Sequence, residues 1–289
     1  MLGFIVIANA LFKTLYLPPE MRKIIPYLLV IISLVVFWAC KHNKVLKSTD
    51  LTYKYEMANK YFEDEDYYRA MPLLEELIPI YRGTEKAERL FYIYAFSEYY
   101  LKDYILAAHR FNTFVNNFPF SKFTEECQFM SAICHYKMSP KFSLDQTDTF
   151  TAIDQLGVFI RQFPESNFVD SSHTMMDELR YKLEKKAFQT SKQYYRVGRY
   201  KAAVASFENT LIDYPDTEYR EEALFLMIKA YFEWAENSID TKKEERYNNT
   251  KKAYFKFAAA YPDSEFTKEA KDVLEETEEE LGDLILKKT

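Results

Sequence analysis

The sequence predicts an all-α protein in which consecutive helix pairs stack as a helical-repeat solenoid. Three observations carry this prediction: a junction motif that recurs along the chain, apolar residues at three- and four-residue spacings, and scarce glycine. Only 5 glycines and 10 prolines occur among the 289 residues. A mainly β or doubly wound protein of this length would need more glycine for its turns. Hydrophobic residues make up 48% of the chain, which excludes a mainly disordered protein.

The junction motif has the pattern aromatic-Pro-x-Ser/Thr-x-aromatic. It occurs four times, at residues 118–123, 163–168, 214–219 and 261–266. Its prolines are separated by 45, 51 and 47 residues, and they are Pro119, Pro164, Pro215 and Pro262. Proline stops the preceding helix, the hydroxyl residue is suited to cap the next one, and the second aromatic is expected to pack under the junction. The motif therefore predicts where each repeat ends.

The residues before each proline extend the repeat. A small residue stands twelve positions earlier, at Ala107, Ala152, Ala203 and Thr250. The position eight residues before the proline holds Phe111, Leu156, Phe207 and Tyr254. The position five residues before it holds Phe114, Phe159, Thr210 and Phe257, so most of these residues are large and apolar. Small residues allow paired helices to approach and large ones fill the space between them. This order resembles the second helix of the tetratricopeptide repeat, with a period longer than the usual one of about 34 residues.

A weaker unit precedes these four copies. Residues 81–84 replace its proline junction, and its pattern residues are Ala58, Tyr61, Ala70, Leu74 and Leu77. The chain is therefore expected to hold about five helix pairs. Residues 266–286 would form a final capping helix, with the acidic run at 275–280 on its solvated face.

The N-terminal residues have the order of a secretory signal. Arg22 and Lys23 precede an apolar run at residues 24–39, and Cys40 follows the small residue Ala39. The cysteine at the end of this run resembles the lipobox of bacterial lipoproteins, in which it becomes the acylated first residue of the mature chain. We therefore predict lipidation at Cys40.

This interpretation sets the domain boundaries. Residues 1–20 are an upstream extension and residues 21–39 are a signal peptide. Residues 40–51 form a linker after the lipidated cysteine, and residues 52–289 form the repeat domain. The extension is predicted because a signal that starts at Met21 is already complete. The alternative is an uncleaved signal anchor in which Cys40 is incidental.

The sequence offers no catalytic or metal site, and no cofactor is expected. The histidines share no metal-ligand spacing with one another or with the cysteines; they are His42, His109, His135 and His173. No Walker loop, GxGxxG, HExxH or nucleophile elbow occurs. The formal net charge is −6 and no basic stripe is present, so nucleic-acid binding is not expected. We predict a binding protein and not an enzyme.

Cys127 and Cys134 lie on one predicted helix, on the same face and about 10 Å apart by helical rise. That distance is too long for a disulfide between them. Both are expected to be small buried thiols.

A groove lined by the first helix of each pair is the expected binding surface. In the first two units the residues facing this groove would be Tyr55, Phe62, Tyr92, Phe96 and Tyr99. A wall rich in tyrosine and phenylalanine suits an extended apolar or aromatic peptide. The alternative is that these aromatic residues only pack between neighbouring helices.

The export signal, the long repeats and the loop at residues 138–147 (MSPKFSLDQT) together resemble the BamD family, in its Bacteroidetes-like form. The loop is similar to the SPxxxLDQ stretch in the third repeat of that family. BamD-like proteins are lipoproteins of the outer-membrane β-barrel assembly machine. The resemblance covers roughly residue 54 to the C-terminus.

The resemblance implies a location and partners. The protein would be lipid-anchored on the periplasmic face of the outer membrane and would bind the periplasmic domains of a BamA-like barrel protein. Repeats one and two would receive unfolded barrel precursors, and repeats four and five with the acidic last helix would dock the barrel protein. Two other envelope lipoproteins remain as alternatives: a TolA-binding coordinator of cell division and a SusD-type glycan-binding protein. An enzyme is the third class.

Overall fold

The computed structural model describes residues 43–286. After a short helical stretch at residues 43–46, these residues form eleven further helices and no strand. We number the helices α1 (Leu51–Glu63), α2 (Tyr67–Tyr81), α3 (Glu85–Tyr100), α4 (Tyr104–Asn117), α5 (Thr124–Met138), α6 (Thr147–Gln162), α7 (Val169–Arg196), α8 (Tyr200–Asp213), α9 (Arg220–Glu236), α10 (Asp240–Ala260) and α11 (Thr267–Leu286). Helices α1 to α10 form five consecutive pairs and α11 follows alone. The predicted all-α, tetratricopeptide-like repeat is therefore confirmed.

The chain divides into two compact units after Cys127, within α5. The first unit contains α1 to α4, and the second contains α6 to α11.

The core of the first unit is built on the leucines of α2. Leu73, Leu74 and Leu77 are fully buried and pack with Ala58 of α1. Burying one such leucine contributes about 2 kcal/mol. Val45, which lies in the segment predicted as a linker, is also fully buried in this cluster.

The first pair follows the weak repeat pattern. The five residues that defined this unit are all buried: Ala58, Tyr61, Ala70, Leu74 and Leu77. In place of a proline, Gly83 ends the pair with a φ of 81°, a left-handed conformation that glycine adopts without a steric penalty. The Thr84 hydroxyl donates to the carbonyl of Tyr81 at 2.7 Å and closes the turn.

The four junctions end their helices as the motif predicts. In each, the aromatic residue before the proline donates its N–H to the carbonyl four residues earlier, at 2.8 to 2.9 Å. The donors are Phe118, Phe163, Tyr214 and Tyr261. The proline follows at once and has no N–H with which to continue the helix. All four prolines are exposed.

The junction hydroxyl binds the residue that precedes the next helix, and not the first turn of that helix as the motif predicts. The Ser166 hydroxyl accepts the N–H of Phe168 at 3.1 Å, and the Thr217 hydroxyl accepts that of Tyr219 at 3.3 Å. These two aromatic residues are themselves the N-caps of α7 and α9, and neither has a side-chain cap. The hydroxyl therefore holds the residue immediately before the helix. The prediction that it caps the first helical turn is wrong.

The second aromatic of each junction packs on a ring from the first helix of its own repeat. Three of these contacts are parallel stacks with interplanar angles of 9° to 10° and centroid distances of 4.4 to 4.7 Å. The stacked pairs are Phe129 with Phe168, Phe188 with Tyr219 and Phe225 with Phe266. In the first unit Phe123 packs on Tyr92 at 4.7 Å with a tilt of 42°. The aromatic pair joins one repeat to the start of the next.

Replacing Ser264 with alanine is expected to lower the free energy of unfolding by about 1 kcal/mol. The substitution removes the acceptor of the Phe266 N–H, which lies 3.1 Å from the hydroxyl oxygen. Chemical denaturation followed by circular dichroism measures the change. Ser264→Thr is the matched control, because it keeps the hydroxyl and should stay within about 0.5 kcal/mol of the natural protein. An equal loss in both variants would contradict this role.

Candidate protein-interaction site

The titratable side chains of the described residues form no metal-binding cluster. Within residues 43–286, no three His, Cys, Asp or Glu side chains come together as a possible metal site. His135 contacts Asp148, with 3.2 Å between Nδ1 and the carboxylate. Cys127 and Cys134 are both buried and free, as expected. Burial raises the pKa of the Cys134 thiol to about 12. None of the helices in this range is long and apolar enough to span a bilayer.

Two of the five predicted groove residues lie on α1. The Tyr55 ring packs against the Tyr81 ring at a tilt of 55°, with 5.8 Å between ring centroids, and the Lys86 ammonium lies 4.7 Å above the Tyr55 ring. Phe62 carries the Arg89 guanidinium 5.6 Å above its ring. Both aromatic rings are half-buried, so each presents one face to a packed neighbour and keeps part of its surface accessible.

The other three lie on α3. Tyr92 is half-buried and donates its hydroxyl to the Glu126 carboxylate at 3.0 Å. Burial, and then this hydrogen bond, raise the pKa of the Tyr92 hydroxyl. Phe96 is 5% exposed, so it supports the surface from beneath and offers little area to a ligand. Tyr99 is half-buried and contacts the Tyr100 ring at 5.6 Å.

Four of the five predicted residues belong to one continuous set of ring contacts. Tyr92 contacts Phe96 at 4.5 Å, and Phe96 contacts Tyr100 at 6.1 Å. Tyr100 also contacts Tyr99, and it stacks on Tyr67 at 4.7 Å, which in turn contacts Phe62 at 5.7 Å. The sequence interpretation missed Tyr67 and Tyr100. The sequence pattern that could have identified them is two adjacent aromatic residues, at 67–68 and at 99–100, beside the turns within the first two repeats.

These contacts show that the aromatic residues pack between neighbouring helices. The packing is incomplete, because Tyr100 remains 47% exposed and Tyr68 remains 80% exposed. Partly exposed tyrosines combine a large apolar area with a hydroxyl, and they are enriched in protein interfaces. We call this set of α1 to α3 rings (Tyr55, Phe62, Tyr67, Tyr92, Tyr99 and Tyr100, over Phe96) the aromatic surface of the first unit.

The loop at residues 138–147, which carries the family resemblance, is held in the second unit by its own Gln146 and by lysines of α7. Gln146 is 3% exposed, and its amide nitrogen donates to the carbonyls of Lys141 at 2.9 Å and Leu144 at 3.0 Å. The Lys186 ammonium of α7 also donates to the Leu144 carbonyl. One turn earlier on α7, Lys182 donates to the Ser139 hydroxyl at 2.7 Å. The loop is therefore a fixed part of the second unit.

The family described as "YfiO: Outer membrane lipoprotein" matches residues 48–247, which is more than half of the chain. Three curated relatives carry the name "Outer membrane protein assembly factor BamD". The relative from Rickettsia prowazekii is 23% identical over 58% of this chain and 67% of its own length. The one from Caulobacter vibrioides is 21% identical, and the match spans about half of each protein, 51% of this chain and 48% of the relative. The one from Pasteurella multocida is 20% identical over 77% of this chain and 89% of its own length.

Among solved structures, the chain is similar to TPR-like repeats of a kinesin light chain from Podosopora anserina. The identity is 13%, the match covers 74% of this chain and 97% of the other, and the TM-score is 0.31.

Proposed function

The chain belongs to the YfiO family of outer membrane lipoproteins, and from that membership we propose that it is a lipid-anchored scaffold of the outer-membrane β-barrel assembly machine. It binds a BamA-like barrel protein and unfolded barrel precursors, and it catalyses no reaction. The observation that carries the proposal is the match over residues 48–247, together with three relatives named as outer membrane protein assembly factors.

The membrane anchor in this proposal is a lipid on Cys40. That residue, the signal at residues 21–39 and the extension at residues 1–20 lie outside the described residues. Each acyl methylene buried in a bilayer contributes about 0.8 kcal/mol, and two or more chains hold a protein stably. The anchor would place the repeats on the periplasmic face of the outer membrane.

The aromatic surface of the first unit is the proposed site for unfolded precursors. A barrel precursor exposes extended strands with alternating apolar residues, and the half-buried rings of α1 and α3 offer apolar contact to such strands. The Lys86 ammonium and the Arg89 guanidinium above these rings add hydrogen-bond donors for the backbone carbonyls of the strands.

The last helices of the second unit are the proposed docking site for the barrel protein. Helix α11 is tied down by two ion pairs, Lys229 with Glu269 at 2.6 Å and Lys251 with Glu278 at 2.7 Å. Two carboxylates of α11 are therefore paired within the second unit. Glu276 and Glu279 are exposed and are available to a partner with basic side chains.

Purification of the tagged chain from its own membranes in mild detergent tests the partner. We expect a BamA-like barrel protein to be recovered in near-equal amounts with the natural chain, and a Cys40→Ala variant to be lost from the membrane fraction. Recovery of TolA or cell-wall synthases without a barrel protein would reject the assembly role.

A double variant, Tyr55→Ser with Tyr99→Ser, tests the client surface. We expect photo-crosslinking to an unfolded barrel precursor to fall at least fivefold, because two aromatic contacts of about 1 to 2 kcal/mol each are lost. Phe120→Ser is the matched control, since Phe120 is 99% exposed but lies outside the aromatic surface. Equal crosslinking in the double variant and the control would contradict the assignment of this surface.

A further inference from the structure

The segment that precedes α1 is docked on the first unit. Residues 43–46 form a short helical stretch, and Val45 within it is fully buried in the core of that unit. The Ser48 N–H donates to the Val45 carbonyl at 3.1 Å. The Ser48 hydroxyl accepts the N–H of Asp50, the N-cap of α1, also at 3.1 Å. The chain is therefore fixed to the fold from Val45 onward.

The docked segment shortens the tether between the fold and the membrane. Val45 follows Cys40, the proposed lipidation site, by five positions. Five extended residues span about 17 Å, whereas a free linker over residues 40–51 would span about 40 Å. The acyl chains of a lipidated Cys40 enter the hydrocarbon core, so its backbone would lie at the level of the lipid headgroups. Val45 is then held within about 17 Å of the headgroups.

The tether selects one end of the first helix pair. The Tyr55 ring, near the start of α1, lies 5.8 Å from the ring of Tyr81, the last residue of α2. The start of α1 and the end of α2 therefore lie together, on the side of the docked segment. We call residues 43–53 and 80–85 the anchor end of the first pair. The turn at residues 64–66 marks the far end, about 20 Å away over the 13 residues of α1.

Cations are in excess at the anchor end. Lys44, Lys47 and Arg82 are exposed there, and none of them is in an ion pair among the described residues. The carboxylates at this end are those of Asp50 and Glu85. Asp50 accepts the first two N–H groups of its helix at 2.9 and 3.0 Å, and Glu85 lies in the first turn of α3, so both face the positive end of a helix dipole. The anchor end is therefore basic in a chain whose net charge is −6.

Apolar surface accompanies these cations. Ile80 is 48% exposed and Tyr53 is 40% exposed. Tyrosine is enriched at the membrane–water interface, because its ring prefers the acyl region and its hydroxyl prefers the headgroups. Lysine and arginine close to an anionic leaflet are attracted to its phosphates. The short tether gives these weak contacts a high effective concentration.

We propose that the anchor end of the first pair rests on the phospholipid surface that holds the lipid, with its three exposed cations at lipid phosphates and with Tyr53 and Ile80 beside them. The inference rests on the lipid anchor of the proposed function and adds to it a contact surface and an orientation. Helices α1 and α2 point away from the bilayer, and the turn at residues 64–66 lies farthest from it.

Energy transfer from a dye on the chain to an acceptor on the lipid headgroups tests the orientation. The full lipidated chain is placed in vesicles of phosphatidylethanolamine and phosphatidylglycerol, with the dye on Thr49→Cys or on Asp64→Cys. Both positions are exposed, at opposite ends of α1, and the two natural free cysteines, Cys127 and Cys134, are buried. We expect the transfer efficiency from position 49 to be at least twice that from position 64. Equal transfer, or greater transfer from position 64, would overturn the proposal.

Charge reversal tests the contact with lipid phosphates. Lys44→Glu combined with Lys47→Glu should lower the transfer from position 49 at least twofold on these vesicles. The matched control is Lys60→Glu with Lys102→Glu, which changes the net charge equally with two exposed lysines outside the anchor end. An equal effect of the two pairs, or no effect of either, would reject the contact. If the first pair fails to fold, the comparison of positions 49 and 64 decides the orientation.

Mass spectrometry of the purified chain separates the failure of this inference from that of the proposed function. A chain without acyl groups on Cys40 would reject the lipid anchor, and this inference with it. An acylated chain that is bound to vesicles but shows equal transfer from the two ends of α1 would reject the contact surface alone.

Discussion

Replacing Phe207 with alanine will lower the free energy of unfolding by about 3 to 5 kcal/mol. Phe207 lies on α8, is fully buried, and belongs to the core that α8 and α9 share. Its ring packs against Phe188 of α7 at 6.1 Å. Alanine would remove most of the side chain and leave a cavity among helices of two consecutive repeats. Urea denaturation followed by circular dichroism measures the loss.

Ile212→Ala is the matched control for this prediction. Ile212 lies on the same helix but is 74% exposed, so its truncation should change the free energy of unfolding by less than about 0.5 kcal/mol. Equal effects of the two substitutions would contradict the predicted register of the repeat, in which position 207 faces the core and position 212 faces solvent.

The two buried cysteines will react with a thiol reagent at pH 8 at least a thousandfold more slowly in the folded chain than in the unfolded chain. Burial raises the pKa of Cys134 to about 12, so about one thiol in ten thousand is ionised at pH 8, and the thiolate is the reactive form. Burial also raises the pKa of Cys127.

A Cys40→Ala chain leaves only these two thiols to react with an aromatic disulfide reagent. Slow labelling that becomes fast in denaturant is the predicted result. Fast labelling of the folded chain would show that α5 opens readily or that its thiols face solvent.

The C-terminal ends of α4, α6, α8 and α10 could be predicted because they depend on local chemistry. At Pro119, Pro164, Pro215 and Pro262, a missing N–H ends the helix whatever surrounds it. The small and large positions before each proline could also be assigned, since they follow helical spacing within one helix. Of the twelve residues assigned in this way, Tyr254 alone is only partly buried in the described structure.

The stacking partners of the junction aromatics could not be assigned from the sequence. Phe188 precedes Tyr219 by 31 residues, whereas Phe225 precedes Phe266 by 41 residues. The spacing varies because the helices differ in length, from 13 residues in α1 to 28 in α7. No fixed period therefore marks these pairs.

The candidate site could be predicted only in part. The sequence identified the aromatic helices α1 and α3, but it did not distinguish the buried Phe96 from the exposed Tyr100. An aromatic residue on the first helix of a pair can face its partner helix or the next repeat, and both faces carry apolar residues in this chain. The contacts of Lys182 and Lys186 with a loop about 40 residues earlier depend on tertiary packing.

Depletion of the protein in its own cells tests the assembly role most directly. Quantitative proteomics of the outer membrane should be combined with a folding assay that separates folded from unfolded barrel proteins. The account predicts that folded β-barrel proteins will fall severalfold and unfolded precursors will accumulate, while other lipoproteins of the outer membrane keep their levels. The natural chain should restore the barrels, and the Cys40→Ala chain should not. Unchanged levels of folded barrels after depletion would contradict the account.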